Sequence, residues 1–391
     1  MKQNIDIGTI KDIMHEFTAL TGLEPSFKQP KRYLWTDAFA VCNYLEIFHL
    51  TNDHSYLELA ANLVDQVHHT LGRHREDDTR KGWISGFTEY EGELHPTKGG
   101  LRIGKPLNER QTNKLYDERL EWDQDGQYYH YLTKWMHALN RMSRVTEDPI
   151  YIIWALELAQ TAHVGFVDST VGRERMYWKM SIDLSRPLVP SMGQHDPLDG
   201  FITYNELQVT ANDFNKKSPD LNLPNLKTEI EDMTHICRGL NWTTNDPLGI
   251  GGILSDALRI GQLIKYGLPY ERLLEEVMNS ALLGLDSFVK YNPQNLTAEY
   301  RLAFRELGLS IGIKGLENLK ALIKANTCLF SKIESLKQLI ESLMNYLPLA
   351  ISIEEFWTDR RNQEVETWIE HKEINMMMLA TSLAPEEFLK I

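Results

Sequence analysis

Cysteine, positive charge and strand-like alternation are what this chain has least of. Its three cysteines, Cys42, Cys237 and Cys328, stand alone in apolar segments. They lack the paired spacing of a zinc site or a disulfide framework, so they read as buried thiols in a reducing compartment. Lys and Arg number 41 against 55 Asp and Glu, a formal net charge of −14. That balance, with no basic cluster to offset it, excludes a general affinity for nucleic acid or an anionic membrane surface. No apolar run approaches the roughly 18–20 residues that span a bilayer. The opening MKQNIDIGTIKDIMHEF has neither the apolar core nor the small-residue cleavage site of a signal peptide, so a cytoplasmic location is expected. Gly-x-Ser-x-Gly, Walker A and His-Glu-x-x-His motifs are missing as well. Neither a metal nor another cofactor is expected, and no feature fixes an oligomeric state.

What is present is helical periodicity. Hydrophobic residues make up 42% of the 391 and charged residues 25%, enough apolar material for a sizeable core. Residues 5–20 place Ile10, Ile13, Met14 and Phe17 on one face. Residues 34–50 (LWTDAFAVCNYLEIFHL) are apolar nearly all round, whereas 53–71 carry a single stripe. The alternation recurs: 123–145 with 149–164, 196–209 with 230–240, and 246–264 with 270–285. It continues with 300–313 and 332–347, separated by a short helical piece at 316–325, and ends with 368–379, whose partner is the helix at 5–20. A faint repeat, Thr-x-Asp-x-x-Tyr-x-x-x-Ala, falls at the same point of two hairpins (51–60 and 146–155).

A helix apolar on all sides belongs inside and a one-striped helix outside. Six inner helices ringed by six outer ones give the expected fold, an all-α (α/α)6 barrel built as one domain over residues 1–391. Glycines within the inner segments, Gly249, Gly251, Gly252, Gly261, Gly308 and Gly312, each cost about 1 kcal/mol against alanine. Close helix approach is the expected reason for them. Two long irregular stretches, 72–121 and 165–195, lead into inner helices, and loops of that length are usually functional or mobile.

In such a barrel the inner helices are parallel and their N-termini gather at one end. The polar residues there are Asp37, Asp123, Asp125, His195, Asp196, Asp199, Asp246, Arg301, Arg305, Glu306, Glu370, His371 and Glu373. Some have a plainer role. Asp148-Pro149, Asp196-Pro197 and Asp246-Pro247 each match an N-cap followed by proline at the first helical position. Others suit a sugar site. Trp35, Trp122 and Trp368 each stand beside an acid at an inner-helix start, pairing an aromatic face for the C–H surface of a ring with carboxylates for hydroxyls. The expected cleft is lined by Trp35, Trp122, Tyr128, His195, Arg305 and Trp368. His371 is flanked by acids that tune it. Lys98, Arg102 and Lys105 offer either a solvated loop or a grip on a substrate carboxylate.

The architecture and the tryptophan–acid helix starts resemble the six-hairpin glycosidase superfamily, which includes glucoamylases and unsaturated glucuronyl hydrolases. The resemblance implies a small carbohydrate substrate and inverting hydrolysis, in which one carboxylic acid protonates the leaving oxygen and another carboxylate activates water. Asp125 is the first choice as acid, beside the rings of Tyr128 and Tyr129, with Asp123 as its rival. Asp37 and Glu370 are the candidate bases. In outline the chain is also similar to the N-acylglucosamine 2-epimerases, which share the barrel and move protons with histidines. His371 matches one of those, and Asn245-Asp246 stands where the other is expected. A non-catalytic sugar-binding or scaffold protein is the third reading, since fold alone does not fix function.

Overall fold

The computed structural model describes residues 7–27, 29–168, 175–291 and 293–391. These fall into two compact units, one of Thr18–Phe48 with Asn52–Arg238, the other of Met1–Phe17, His49–Thr51 and Gly239–Ile391. The first helices are α1 (Ile7–Thr21), α2 (Leu34–Thr51) and α3 (His54–Leu71). Two short helices follow, α4 (Glu89–Leu94) and α5 (Glu118–Asp123), then α6 (Tyr129–Thr146), α7 (Pro149–Phe166), α8 (Asp196–Lys217) and α9 (Lys227–Cys237). In the other unit come α10 (Pro247–Lys265), α11 (Glu271–Lys290), α12 (Ala303–Ala325), α13 (Ile333–Met344), α14 (Leu347–Thr358), α15 (Glu366–Ile369), α16 (Lys372–Leu383) and α17 (Glu386–Leu389).

The Thr18–Phe48 and Asn52–Arg238 unit is organised by helices without a polar face. From Leu34 to Ile47 every residue of α2 is buried, as is nearly every residue of α8 from Asp196 to Ala211. Burying each large aliphatic or aromatic side chain contributes about 1.5–3 kcal/mol. The outer helix α3 instead buries one stripe, Tyr56, Leu59, Ala60, Leu63, Val64, Val67 and Leu71, and is capped by Asp53, which accepts from the Ser55 N–H at 3.0 Å. Helix α6 packs on α7 and α8, and α8 on α9. Asp148 caps α7 ahead of Pro149, as the sequence indicates.

Helix α6 begins at Tyr129, six residues later than the periodicity suggests, because Gln127–Tyr128 forms a strand, β1. Two-residue strands β2 (Val167–Asp168) and β3 (Arg175–Met176) pair with each other, while β4 (Lys179–Met180) lies between β1 and β5 (Pro187–Val189). All pairings are antiparallel, with Tyr128 opposite Lys179 and Lys179 opposite Val189. Much of the two long loops is thus ordered. The Gln127 amide takes the Leu101 N–H at 2.9 Å and gives its own hydrogens to the Ile182 and Gly99 carbonyls at 2.7 and 3.0 Å. Lys179 is wholly buried, its ammonium held by the Glu121 carboxylate (2.9 Å) and by the carbonyls of Glu121 and Gln124.

In the other unit α10 packs against α11 and α12, and α12 against α13, α14 and α16. The glycines do what the periodicity requires of them at α10–α12. A Cβ on Gly251 would lie 2.1 Å from the Gly308 carbonyl oxygen, and one on Gly312 would lie 2.3 Å from that of Gly251. Gly252 has nothing within 4 Å, so close approach does not account for it. The segments 300–313 and 316–325 merge, from Ala303 onward, into the single helix α12. The apolar stretch at 347–358 is a separate helix, α14, that the sequence reading does not anticipate. Lys372 reaches Glu16 at 2.6 Å, as expected if 5–20 partners the last helix. Of the cysteines Cys42 is buried, Cys237 half-buried and Cys328 exposed, which corrects the expectation for Cys328. Among the described residues no helix is long and apolar enough to cross a membrane.

Candidate active site

Three helix starts meet in the Thr18–Phe48 and Asn52–Arg238 unit. Tyr33, just before α2, shares a 2.7 Å hydroxyl–hydroxyl bond with Tyr131 of α6. From α6, Lys134 pairs with Asp199 of α8 at 2.7 Å, and the Thr133 hydroxyl donates to the same carboxylate at 2.5 Å. His130 Nδ1 lies 3.8 Å from an Asp196 oxygen. Beside these, Tyr128 stacks on Trp178 (4.9 Å, 6°) and on His130 (5.5 Å, 20°), and Trp178 touches Trp122 (5.7 Å). The result is an aromatic wall ending in an imidazole and two carboxyl groups.

Asp196 is strongly altered by its surroundings. Burial, reinforced by the neighbouring Asp199 carboxylate, pushes its carboxyl up to about 7 against the opposing pull of Lys134 and the Gly193 N–H. Its Oδ2 is buried without a full hydrogen bond. The sequence assigns Asp196 as the cap of α8, but the capping position is held by His195, with no side-chain cap bond, and Asp196 is the first helical residue. Its carboxyl is therefore not consumed by the helix end. His130 is half-buried, and loss of water holds its imidazole below the ordinary value despite the nearby Asp199. It is uncharged near neutral pH.

The residues singled out from sequence divide into three groups. Trp122 is 53% exposed and joins the aromatic wall, and Tyr128 is a buried member of it. His195 is half-buried at the start of α8. Asp123 is exposed at the end of α5, within the field of the Lys105 ammonium, which lies 5.5 Å above the Tyr33 ring. Others are structural in these surroundings. Trp35 is buried against Phe39 at 4.6 Å. Asp37 is buried, accepting from the Tyr33 N–H at 2.9 Å with Arg32 at 3.4 Å, and burial nevertheless pushes it up to about 6. Asp125, completely buried, is surrounded by donors: Arg102 at 2.5 Å, Arg75 at 3.6 Å, and the N–H groups of Gly104 and Gly126 at 3.0 and 3.1 Å. Its oxygens are used as acceptors that tie the loop to α6, which leaves little for a general acid to do. Arg102 is spent on Asp125 and on the carbonyls of Arg73 and Thr70, and Lys98 sits 3.7 Å from Glu157, so Lys105 is the cation left for a substrate.

A third group belongs to the other unit, where the starts of α10, α12 and α16 meet. Arg305 pairs with Asp246 at 2.7 Å, while Asp246 also caps α10 through the Gly249 N–H. Phe304 packs edge-on against His371 at 5.5 Å. Glu370 is exposed, and it and His371 occupy the break between α15 and α16 rather than the first turn of one inner helix. Trp368 is buried and stacked on Trp357 (5.6 Å, 24°), so it is a core residue there, and Glu306 is engaged by Arg301 and Trp357. Among the described residues no group of three His, Cys, Asp or Glu is placed to hold a metal ion.

His130, Tyr131, Tyr33, Lys134 and Trp178 were not singled out in the sequence. For His130, Tyr131 and Lys134 the signal is the run QYYHYLTKW, in which a histidine sits among aromatics in the first turn of an inner helix. Trp178 carries no such signal, because a strand pairing two residues long is what carries it to Tyr128.

No protein-family model matches the chain, and no curated protein matches it by sequence. Solved structures do. A family 76 α-mannanase from Bacteroides thetaiotaomicron is 10% identical, with 97% of each chain covered and a TM-score of 0.54. A D-mannose isomerase is 10% identical, covering 98% of each chain at 0.52. A cellobiose 2-epimerase from Spirochaeta thermophila is 14% identical, covering 97% of this chain and 98% of that one at 0.48. At such identities the first two likenesses carry the fold alone: the chain has an (α/α)6 barrel fold.

Proposed function

We propose that the protein is a carbohydrate-active enzyme whose chemistry is carried by the starts of α2, α6 and α8. The observation behind this is the pair Asp196 and His130, a carboxyl that keeps its proton to about pH 7 beside an imidazole that sheds its own. Two neighbouring groups with their affinities pushed in opposite directions are the usual sign of acid and base assignments. The aromatic wall suits a sugar ring, and two proteins that share the fold are named for mannan and mannose.

The reaction we favour is hydrolysis of a small glycoside, with Asp196 replacing Asp125 as general acid and the exposed Asp123 as the candidate base for water. Lys105, which makes no ion pair within 4.0 Å among the described residues, meets a carboxylate on a uronate-type sugar. The specific observation favouring epimerisation instead is the uncharged His130, which is competent to remove a proton beside a sugar carbonyl. A panel of aryl glycosides and free N-acyl sugars separates the two. Hydrolysis predicts glycoside cleavage abolished by Asp196→Asn and reduced by Asp123→Asn. Epimerisation predicts interconversion of a free sugar abolished by His130→Gln. Turnover of neither class by the wild type refutes the enzymatic reading.

A further inference from the structure

A second concavity lies within the same unit, on the outward side of α3 and α7. It is a cavity of about 190 Å³ between those helices and the loop that follows α3. None of its walls belongs to the site described above. Its aromatic surfaces are Trp83, Tyr151 and Trp154, the last two set edge to face at 5.6 Å. Asp65 and Glu93 stand at its rim with side chains 71% and 50% exposed, joined by His69, whose Nε2 lies 2.9 Å from Glu93.

The floor is His68, 2% exposed and edge-on to Trp154 at 4.9 Å. Trp135 Nε1 can only donate, and it donates to His68 Nε2 at 3.2 Å. The imidazole is therefore neutral with its proton on Nδ1, in keeping with the burial that drives its affinity for a second proton down to about 3. Among the described residues no acceptor is supplied for that Nδ1 proton. A donor on a residue that lines the cavity can be met by an acceptor of a ligand.

We propose that this cavity is a second carbohydrate site, which takes one pyranose ring of a glycan. The volume corresponds to about six waters at roughly 30 Å³ each, room for one six-atom ring with its hydroxyls protruding and too little for two. Aromatic faces receive the C–H surface of the ring. Asp65 and Glu93 accept from hydroxyls, and His68 donates to a hydroxyl or ring oxygen. A purely apolar ligand leaves His68 unpaired, and an anionic one meets two carboxylates. The site shares only its ligand class with the function proposed above. It would hold a ring without reacting with it.

The test uses the full chain labelled with 15N, following the tryptophan indole N–H signals during titration with methyl α-D-mannopyranoside and methyl β-D-glucopyranoside. One glycoside is expected to move the Trp154 signal, and to do so equally in His130→Ala, which removes an imidazole from the proposed reaction centre and none of this cavity's walls. Tyr151→Ala removes a wall and should weaken that binding about tenfold, the equivalent of 1.4 kcal/mol. Asp65→Ala alters only an exposed side chain, keeps the fold, and should weaken it several-fold. Movement of Trp154 that is unchanged in both variants overturns the proposal, as does a response to tetramethylammonium with none to either glycoside. Binding here by a protein that turns over no sugar upholds this site while refuting the reaction. Turnover with no response at Trp154 does the reverse.

Discussion

Replacing Asp196 with asparagine should cost activity and add stability, and the second effect is the sharper test. Burial, and then the Asp199 charge, raise the carboxyl from an ordinary 3.8 to about 7. The protonated share at pH 7 thereby rises from below about 0.1% to about half, equivalent to about 4 kcal/mol of opposition to the charged form. The sign follows from linkage. Below about pH 4 the folded and unfolded chains both hold the proton and Asp196 has no penalty. As pH rises from about 4 to 7 the unfolded chain ionises freely while the folded one resists, so stability is lost, and the loss is complete above 7. Asparagine cannot ionise and escapes the whole effect. At pH 8 Asp196→Asn should be more stable than wild type by up to about 4 kcal/mol, and at pH 4 the two should coincide. A chain of 391 residues has an unfolding entropy near 0.8 kcal/mol per kelvin, so the gain is up to about 5 °C in Tm. Turnover should fall about 10²–10⁴-fold, and wild-type activity should decline as pH rises through 7. Calorimetry at the two pH values and a pH–rate profile decide it. An asparagine variant that is less stable at pH 8, or as active as wild type, removes Asp196 from the role.

Asp125 should behave oppositely: Arg102→Met leaves its buried carboxylate short of its nearest partner and should cost about 3–5 kcal/mol in urea unfolding, whereas a minor loss would free Asp125 for catalysis. Gly251→Ala drives a methyl group toward the Gly308 carbonyl and should cost at least about 1–3 kcal/mol, while Gly252→Ala, with open space around it, should be neutral or stabilising by up to about 1 kcal/mol. Equal effects in thermal melts would show that the α10–α12 approach is not tight. Helices α1 and α2 each carry residues of both compact units, so we propose one cooperative domain, seen as coincident denaturation transitions by tryptophan fluorescence and far-ultraviolet dichroism; two separated transitions would refute it.

The helices were legible because their signal is local. All-round apolarity in 34–50 and a single stripe in 53–71 place α2 and α3 within a few residues of their ends. Legibility fails where a few residues at long range decide. Leu347–Thr358 merges in sequence with the helix before it, and only a turn at Asn345–Tyr346 separates α13 from α14. Carboxylates posed the same problem at finer scale. Asp125 lies before one apolar helix and Asp196 at the first position of another, and nothing local reveals that two arginines from a long loop meet the first while one oxygen of the second is left without a partner. Trp368 beside Glu370 looks like Trp122 beside Asp123, yet one is sealed against Trp357 and the other open. Residue type and spacing nominate candidates, and the partners brought by the fold choose among them.

The interleaved glycines of α10 and α12 have a mechanical consequence. Where Gly251 meets Gly308 and Gly312, backbone touches backbone, and the residues one turn either side of Gly251 on α10, Leu248 and Ser255, are too large to take its place. Moving α10 along α12 by a single turn, about 5.4 Å, would put Leu248 or Ser255 in the place of Gly251, in a gap with no room for a methyl group. The contact acts as a detent: the pair can be separated as a unit, but it cannot slip. Asp246 and Arg305, at the leading ends of the same two helices, therefore keep a fixed axial offset, and a reader of that ion pair meets its charges at one height only.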